Sequence, residues 1–200
     1  YDVARGLRDR GTFNPGDDIE PRWSPDGHRL AFSSRRKGHL DLYAKASDGT
    51  GDEELLLADD LDKYAQSWSP DGRQIAFLAN TDGTLQLWTQ PVEGGAARQL
   101  TFGSERMRHA SFSPDGRWIY VQPSHRNIWR MPADGGPLQQ VTHFPESGLF
   151  LEEPTISPDG RWLVYNKGGG GASLWMLTLG HEAMHERSRN AARQSRGGDL

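Results

Sequence analysis

The chain has no cysteine among its 200 residues, which excludes both a disulfide framework and a thiolate metal site. It contains no run of 18 apolar residues and opens on no signal-peptide pattern, so no membrane insertion of this segment is expected; any export signal or anchor would lie upstream of Tyr1. Charge of one sign is scarce as well. A formal net charge of −4 argues against general electrostatic binding to nucleic acid or to an anionic membrane. Neither a kinase glycine loop nor a His-Arg-Asp motif nor Gly-x-Ser-x-Gly occurs, and the glycine run at 168–171 lacks the Gly-Lys-Ser/Thr of a phosphate loop. No cofactor is implied. What is plentiful is glycine (24) and proline (12), with aromatics at 10% in recurring places, the composition of an all-β repeat.

The repeat is marked by Ser-Pro-Asp-Gly, whose serines are Ser24, Ser69, Ser113 and Ser157, spaced by 45, 44 and 44 residues. A large apolar residue precedes each copy: Trp23, Trp68, Phe112, Ile156. Leu30, Ile75, Ile119 and Leu163 follow six residues after the serine, and Phe32, Phe77, Val121 and Tyr165 eight after it, the period-2 alternation of a half-buried strand. Next come the pairs Leu42-Tyr43, Leu87-Trp88, Ile128-Trp129 and Leu174-Trp175, then apolar segments at 54–58, 98–102 and 139–144. Each period reads as four short strands, A to D. Radial stacking covers both faces of such sheets and leaves few exposed edges, so the expected fold is an all-β propeller of four-stranded blades of about 44 residues.

Within Ser-Pro-Asp-Gly, proline presets φ, aspartate accepts local backbone hydrogen bonds and glycine takes a positive φ, so the motif reads as the A-to-B turn rather than a calcium site. The expected organisation is a propeller over 1–180, with a partial blade at 1–20, blades at 21–64, 65–107 and 108–150, and an incomplete blade at 151–180. Residues 7–13 align with a D strand. The chain would then either close a four-bladed ring through that strand or form part of a larger propeller, and the second reading accounts better for a start at a core aromatic. Raw blade edges would favour self-association. Residues 181–200, with four arginines against three acids, read as a polar tail.

The core W/F-S-P-D-G, followed by an apolar strand and an I/L-W/Y pair, resembles the WD40-like PD40 repeat of the bacterial TolB-type propeller. The run from Asp2-Val3-Ala4-Arg5-Gly6 through Trp23-Ser24-Pro25-Asp26-Gly27 to Asp41-Leu42-Tyr43 looks like propellers attached to receptor-like serine/threonine kinases and winged-helix regulators. That resemblance implies a noncatalytic protein-interaction or ligand-sensing module of a larger bacterial protein, periplasmic or otherwise extracytoplasmic, with the cytoplasm as the other compartment. Similar repeats form the propeller of prolyl-oligopeptidase-like serine peptidases, here without the hydrolase domain. An autonomous four-bladed binding protein is the third reading.

In a four-stranded antiparallel blade the B-to-C and D-to-A connections share one face, and these are the variable ones. They carry Arg35, Arg36, Lys37, His39, Tyr64, Arg106, Arg108, His109, His125, Arg126, Glu152 and Glu153 as candidate binding residues, together with Asp59, Asp60, Asp62, Lys63, Asn80 and Asp82. Mixed charge points to a protein or peptide partner. His181-Glu182-Ala183-Met184-His185 matches His-Glu-x-x-His, but without a third ligand or a distinct active-site helix it reads as part of the solvated tail, with His181 and His185 the only weak metal candidates. The seven tryptophans stand mostly at repeat-equivalent positions and are expected in the core.

Overall fold

A computed structural model describes residues 10–123, 127–144, 150–168 and 173–179. Their fifteen strands form four antiparallel sheets in chain order. The first comprises β1 (Asp18–Trp23), β2 (Arg29–Ser34), β3 (Asp41–Ala46) and β4 (Glu54–Leu57). The second comprises β5 (Lys63–Trp68), β6 (Gln74–Thr81), β7 (Thr84–Pro91) and β8 (Arg98–Gln99). The third holds β9 (Met107–Phe112), β10 (Trp118–Pro123), β11 (Trp129–Pro132) and β12 (Gln139–Gln140), and the fourth β13 (Phe150–Ile156), β14 (Trp162–Gly168) and β15 (Ser173–Thr178). The first three sheets run in simple sequence, A to D, and the fourth runs A to C among the described residues. The first strands β1, β5, β9 and β13 adjoin one another in succession, as blades around an axis do, and no comparable contact joins β1 to β13 among the described residues.

Alternation along the strands decides which side chains meet between sheets. Ala31 and Leu42 of the first sheet pack on Trp68, Ile75, Phe77 and Ala79 of the second. Leu78 and Leu87 of the second pack with Met107, Phe112, Ile119 and Val121 of the third, and Tyr120 and Ile128 of the third with Leu151, Leu163 and Tyr165 of the fourth. Hydrogen bonds cross the same seams. Ala65 N–H donates to Ser33 Oγ (2.9 Å), Trp68 Nε1 to the Arg22 carbonyl (2.9 Å), Phe112 N–H to Ser67 Oγ (3.0 Å) and Gln122 Nε2 to the Leu151 carbonyl (2.8 Å). Each satisfies a polar group that burial would otherwise leave unpaired.

Strand boundaries differ from the expected ones in two consistent ways. The A strands start one to three residues before the boundaries at 21, 65, 108 and 151, because each carries a bulge that lets pairing continue past the kink. The bulge holds Glu20 and His109 at φ 54° and 45°. The D strands β8 and β12 are only two residues long, where the expected segments 98–102 and 139–144 span five and six residues. There Thr101 and Thr142 take over one half of the ladder: their hydroxyls accept the Leu87 and Ile128 N–H groups at 2.8 and 3.0 Å, while the Leu87 and Ile128 carbonyls still accept the N–H groups of Leu100 and Val141 at 2.8 and 2.9 Å. Of the D strand expected at 7–13, residues 10–13 form no strand and the rest lie outside the described residues, as does the 181–200 tail.

One class of core residue divides. Trp68 is 7% exposed, but its repeat equivalent Trp23 is 62% exposed. The face of sheet two that carries Trp68 is covered by sheet one, and among the described residues no sheet precedes β1 to cover Trp23.

Candidate functional site

The sheet order places two sets of connections at opposite ends of the blades, and their chemistry differs. At one end stand the four Ser-Pro-Asp-Gly turns. In each, the serine hydroxyl donates to the aspartate Oδ1 (2.5 to 2.6 Å), and that same Oδ1 accepts the N–H two residues on, that of His28, Arg73, Arg117 or Arg161 (3.0 to 3.1 Å). The serine Oγ in turn accepts the N–H five residues on, in Arg29, Gln74, Trp118 or Trp162 (2.8 to 3.0 Å). Glycine closes the turn at φ 70° to 74°. The serine hydroxyl holds all four aspartates below the ordinary carboxylate range, Asp115 at about 2. Successive turns also touch: a Cβ on Gly116 or Gly160 would lie 3.7 or 3.6 Å from the ring of Pro70 or Pro114 in the turn before. The turn chemistry is thus closed on itself, with each aspartate oxygen that points inward already committed.

The other end carries the candidate binding residues. Here the connection 58–62, joining the first two sheets, meets the 35–40 loop through Asp62. Its Oδ1 accepts the Leu40 N–H (2.8 Å), its Oδ2 faces Arg35 NH2 (3.3 Å), and His39 Nδ1 lies 3.8 Å from Oδ1. The Leu40 N–H is the main cause that pulls Asp62 below the usual carboxylate range; burial opposes it, and Arg35 and His39 add to it. Arg35, His39 and Asp62 therefore form one partly exposed cluster, with Lys37 exposed on the same loop.

Arg36 behaves differently from its neighbours. It is 11% exposed, pairs with Asp18 (3.4 Å) and with Glu53, donates from Nε to Ser34 Oγ (2.8 Å), and lies 4.0 Å from the Tyr43 ring centroid. Its guanidinium thereby covers the stacked Phe32–Tyr43 pair, whose counterpart Phe77–Trp88 is covered by the preceding sheet. A side chain with this many internal commitments has little left for a partner, and it is set apart from the recognition residues below.

Beneath the same loop sits Lys63, fully buried at the junction of the first two sheets. Its ammonium reaches Asp59 Oδ1 (2.6 Å), the Leu61 carbonyl (2.6 Å) and Asp41 Oδ1 (3.4 Å). Asp41 opens strand C. The residue at that place in the next two sheets does the same work without charge: Gln86 donates to the Gly103 and Glu105 carbonyls (3.0 and 3.1 Å), and Asn127 Oδ1 accepts the Phe144 N–H (3.0 Å). Each D-to-A connection is thus tied to the head of its own strand C.

Of the other candidates, Arg106 is exposed at the end of the 100–106 connection, and Arg108 follows on β9, half-buried. Burial, then the charge of Arg106, pulls the Arg108 guanidinium below its usual range, though not far enough to discharge it. His109 occupies the β9 bulge. Tyr64 is half-buried against the core between sheets two and three. His125, Arg126, His181 and His185 lie outside the described residues, and Glu152 and Glu153 lie on β13 at its bulge. Two features escaped the sequence reading. Phe102, assigned to an apolar strand, is 73% exposed on the loop, and Thr81 Oγ1 is buried without a hydrogen-bond partner beside it.

Repeated antiparallel sheets stacked through their first strands, with saturated turns at one end and variable charged loops at the other, define a β-propeller architecture. The chain belongs to the PD40 family, the TolB beta propeller domain, whose profile matches residues 1–192. An uncharacterised protein of Agrobacterium fabrum is 32% identical over 146 residues, 71% of this chain and 48% of that protein. The chain thus spans about half the length of this curated relative. A solved structure from Agrobacterium tumefaciens assigned to TolB superposes with a TM-score of 0.71 at 25% identity, covering 80% of this chain and 61% of that one. TolB from Acinetobacter baumannii gives 0.70 at 24%, covering 88% and 44%, which shows the shared fold. A prolyl endopeptidase gives 0.61 at 12%, covering 84% and 27%, again the fold alone.

Proposed function

We propose that this chain is a noncatalytic interaction module that binds a protein or peptide through the loop face formed by its B-to-C and D-to-A connections. The observation that carries the reading is the asymmetry between the two ends. The Ser-Pro-Asp-Gly end consumes its own polar groups in four equivalent turns, while the opposite end holds loops rigidly and leaves Arg35, Lys37, His39, Arg106 and Arg108 facing or near solvent. Preorganised loops bind without an ordering cost. The recognition set in this reading is Arg35, Lys37, His39, Tyr64, Arg106, Arg108 and His109, with His125, Arg126, Glu152 and Glu153 assigned to it by topology.

The setting is a larger bacterial protein, outside the cytoplasm, such as a receptor-like kinase or winged-helix regulator; the likeness of residues 2–43 to such propellers supports it. Open sheet faces bearing Trp23, Leu174 and Met176 also favour self-association of the isolated chain, which light scattering reads directly.

The test is site-specific photo-cross-linking. A benzophenone amino acid is placed at Lys37 or Arg106 on the loop face and at Arg73 or Arg161 on the turn face, in cell-envelope extract of the source bacterium. Adducts of one discrete partner from the loop-face positions alone support the reading. Adducts from the turn face alone, or equally from both, overturn it.

A further inference from the structure

We propose that the notch between the β6–β7 turn and the 100–106 connection binds a cationic side chain, an arginine, presented by a partner protein; the proposal rests on the loop-face reading above and names the chemistry that face selects. The notch is a cavity of about 450 Å³ on the loop face, walled by Thr81, Asp82 and Thr84 on one side and by Phe102, Gly103 and Ser104 on the other.

Both walls are built before any ligand arrives. Asp82 and Gly83, at φ 51° and 83°, form a two-residue hairpin turn closing the Thr81–Thr84 pair. This is the shortest B-to-C connection among the described sheets, and its brevity opens the notch. Opposite it, the Gln86 side chain donates to the Gly103 and Glu105 carbonyls and accepts the Thr101 hydroxyl (2.7 Å). Leu100 and Thr101 are buried, so Phe102 is held out to solvent by anchored neighbours rather than by a loose loop.

Three groups in the notch have unspent capacity. Phe102 offers an aromatic face, Asp82 makes no ion pair with any described residue, and Thr81 Oγ1 is buried without a partner. A cavity of the same size on the turn face provides the contrast: its Asp26 and Asp71 are consumed by their serines, and its Arg29 pairs with Glu54 at 2.5 Å. An aromatic face, a carboxylate and a hydroxyl acceptor together suit a planar cation with several N–H donors on an apolar stem. Guanidinium suits all three, stacking on the ring while donating to the carboxylate, and a rotation of the Thr81 side chain would turn its covered hydroxyl to a further N–H. The Gly103 backbone opposite leaves room for the stem.

The experiment is an amide-resolved NMR titration of the 200-residue chain with N-acetyl-arginine methylamide, compared with the norleucine and glutamate analogues. Saturable shifts confined to 81–84 and 102–104, with affinity about tenfold above the norleucine compound, support the proposal. Asp82→Asn, which keeps a residue tolerant of positive φ, should lose about tenfold in affinity, and Phe102→Ala a similar amount, with spectral dispersion reporting the fold. Absence of saturable shifts, equal response to all three compounds, or unchanged affinity in a folded Asp82→Asn overturns it. If loop-face cross-links persist while the arginine compound fails, the notch is refuted and the interaction module stands; if the cross-links fail as well, both fall.

Discussion

Replacing Ser113 by alanine probes the turn on which the repeat is built. Two hydrogen bonds go at once: the hydroxyl to Asp115 Oδ1 (2.6 Å) and the Trp118 N–H to Ser113 Oγ (3.0 Å). The second is worth about 1 kcal/mol and strands a donor beside a nearly buried serine. The first is charge-assisted, but Asp115 is 46% exposed, so solvent screening reduces it to about 1 kcal/mol. The sum is about 2 kcal/mol, which for a chain of this size lowers Tm by roughly 4 to 8 °C. Thermal unfolding followed by circular dichroism at neutral pH measures it. The double variant Ser113→Ala/Asp115→Ala should cost about 1 kcal/mol less than the two singles summed, since they share one bond. A Tm change under about 1 °C, or strict additivity, would refute the view that serine closes the turn.

Acid should act through the same turns. Asp26, Asp71, Asp115 and Asp159 have folded pKa values below their unfolded value of 3.8, so their stabilising contribution is complete from about a unit above that value and is lost as pH falls through the folded values, which for Asp115 is about 2. Tm measured across that window should fall steeply for the parent and less for Ser113→Ala, whose Asp115 loses the largest of its pKa-lowering contacts and keeps those to Arg117. Arg36→Ala strands Asp18 and Glu53, both mostly buried, and should cost about 3 kcal/mol in urea unfolding. Lys63→Met alone leaves the buried Asp41 uncompensated and should cost about 3 kcal/mol, whereas Asp41→Gln with Lys63→Met copies the Gln86 and Met107 of the next junction. That double variant should recover most of the loss by the same assay.

Much of the fold was legible because the information repeats. Four copies of Ser-Pro-Asp-Gly at near-constant spacing marked the strands, and the parity of strands in a blade assigned the loops to one end or the other. The role of proline, aspartate and glycine followed from local backbone chemistry. That of the serine did not, because its second bond reaches an N–H five residues on that faces it only once β1 and β2, or their equivalents, have paired. The candidate site was legible as a face and not as a set of side chains. Arg35 and Arg36 are adjacent in sequence, yet one joins the exposed Asp62 cluster and the other lies across Tyr43 to meet Asp18 and Glu53, 18 and 17 residues away. Phe102 looked like one more apolar strand residue, but pairing with strand C stops at Thr101, whose hydroxyl takes the Leu87 N–H, and Phe102 lies beyond it in solvent.

By itself the sequence determined the blade: its four strands, its turns and the residues that point to each side of it, all properties of local backbone preference and period-2 alternation. What only the tertiary structure decided is which equivalent residues are covered. Trp23 and Trp68 occupy the same place in their repeats, but burial belongs to the neighbour that supplies the other wall. The same holds for charge. Asp41 and Gln86 are equivalent by alignment, and whether that place holds an ion pair or an amide bridge depends on whether the next sheet brings Lys63 or Met107 to face it.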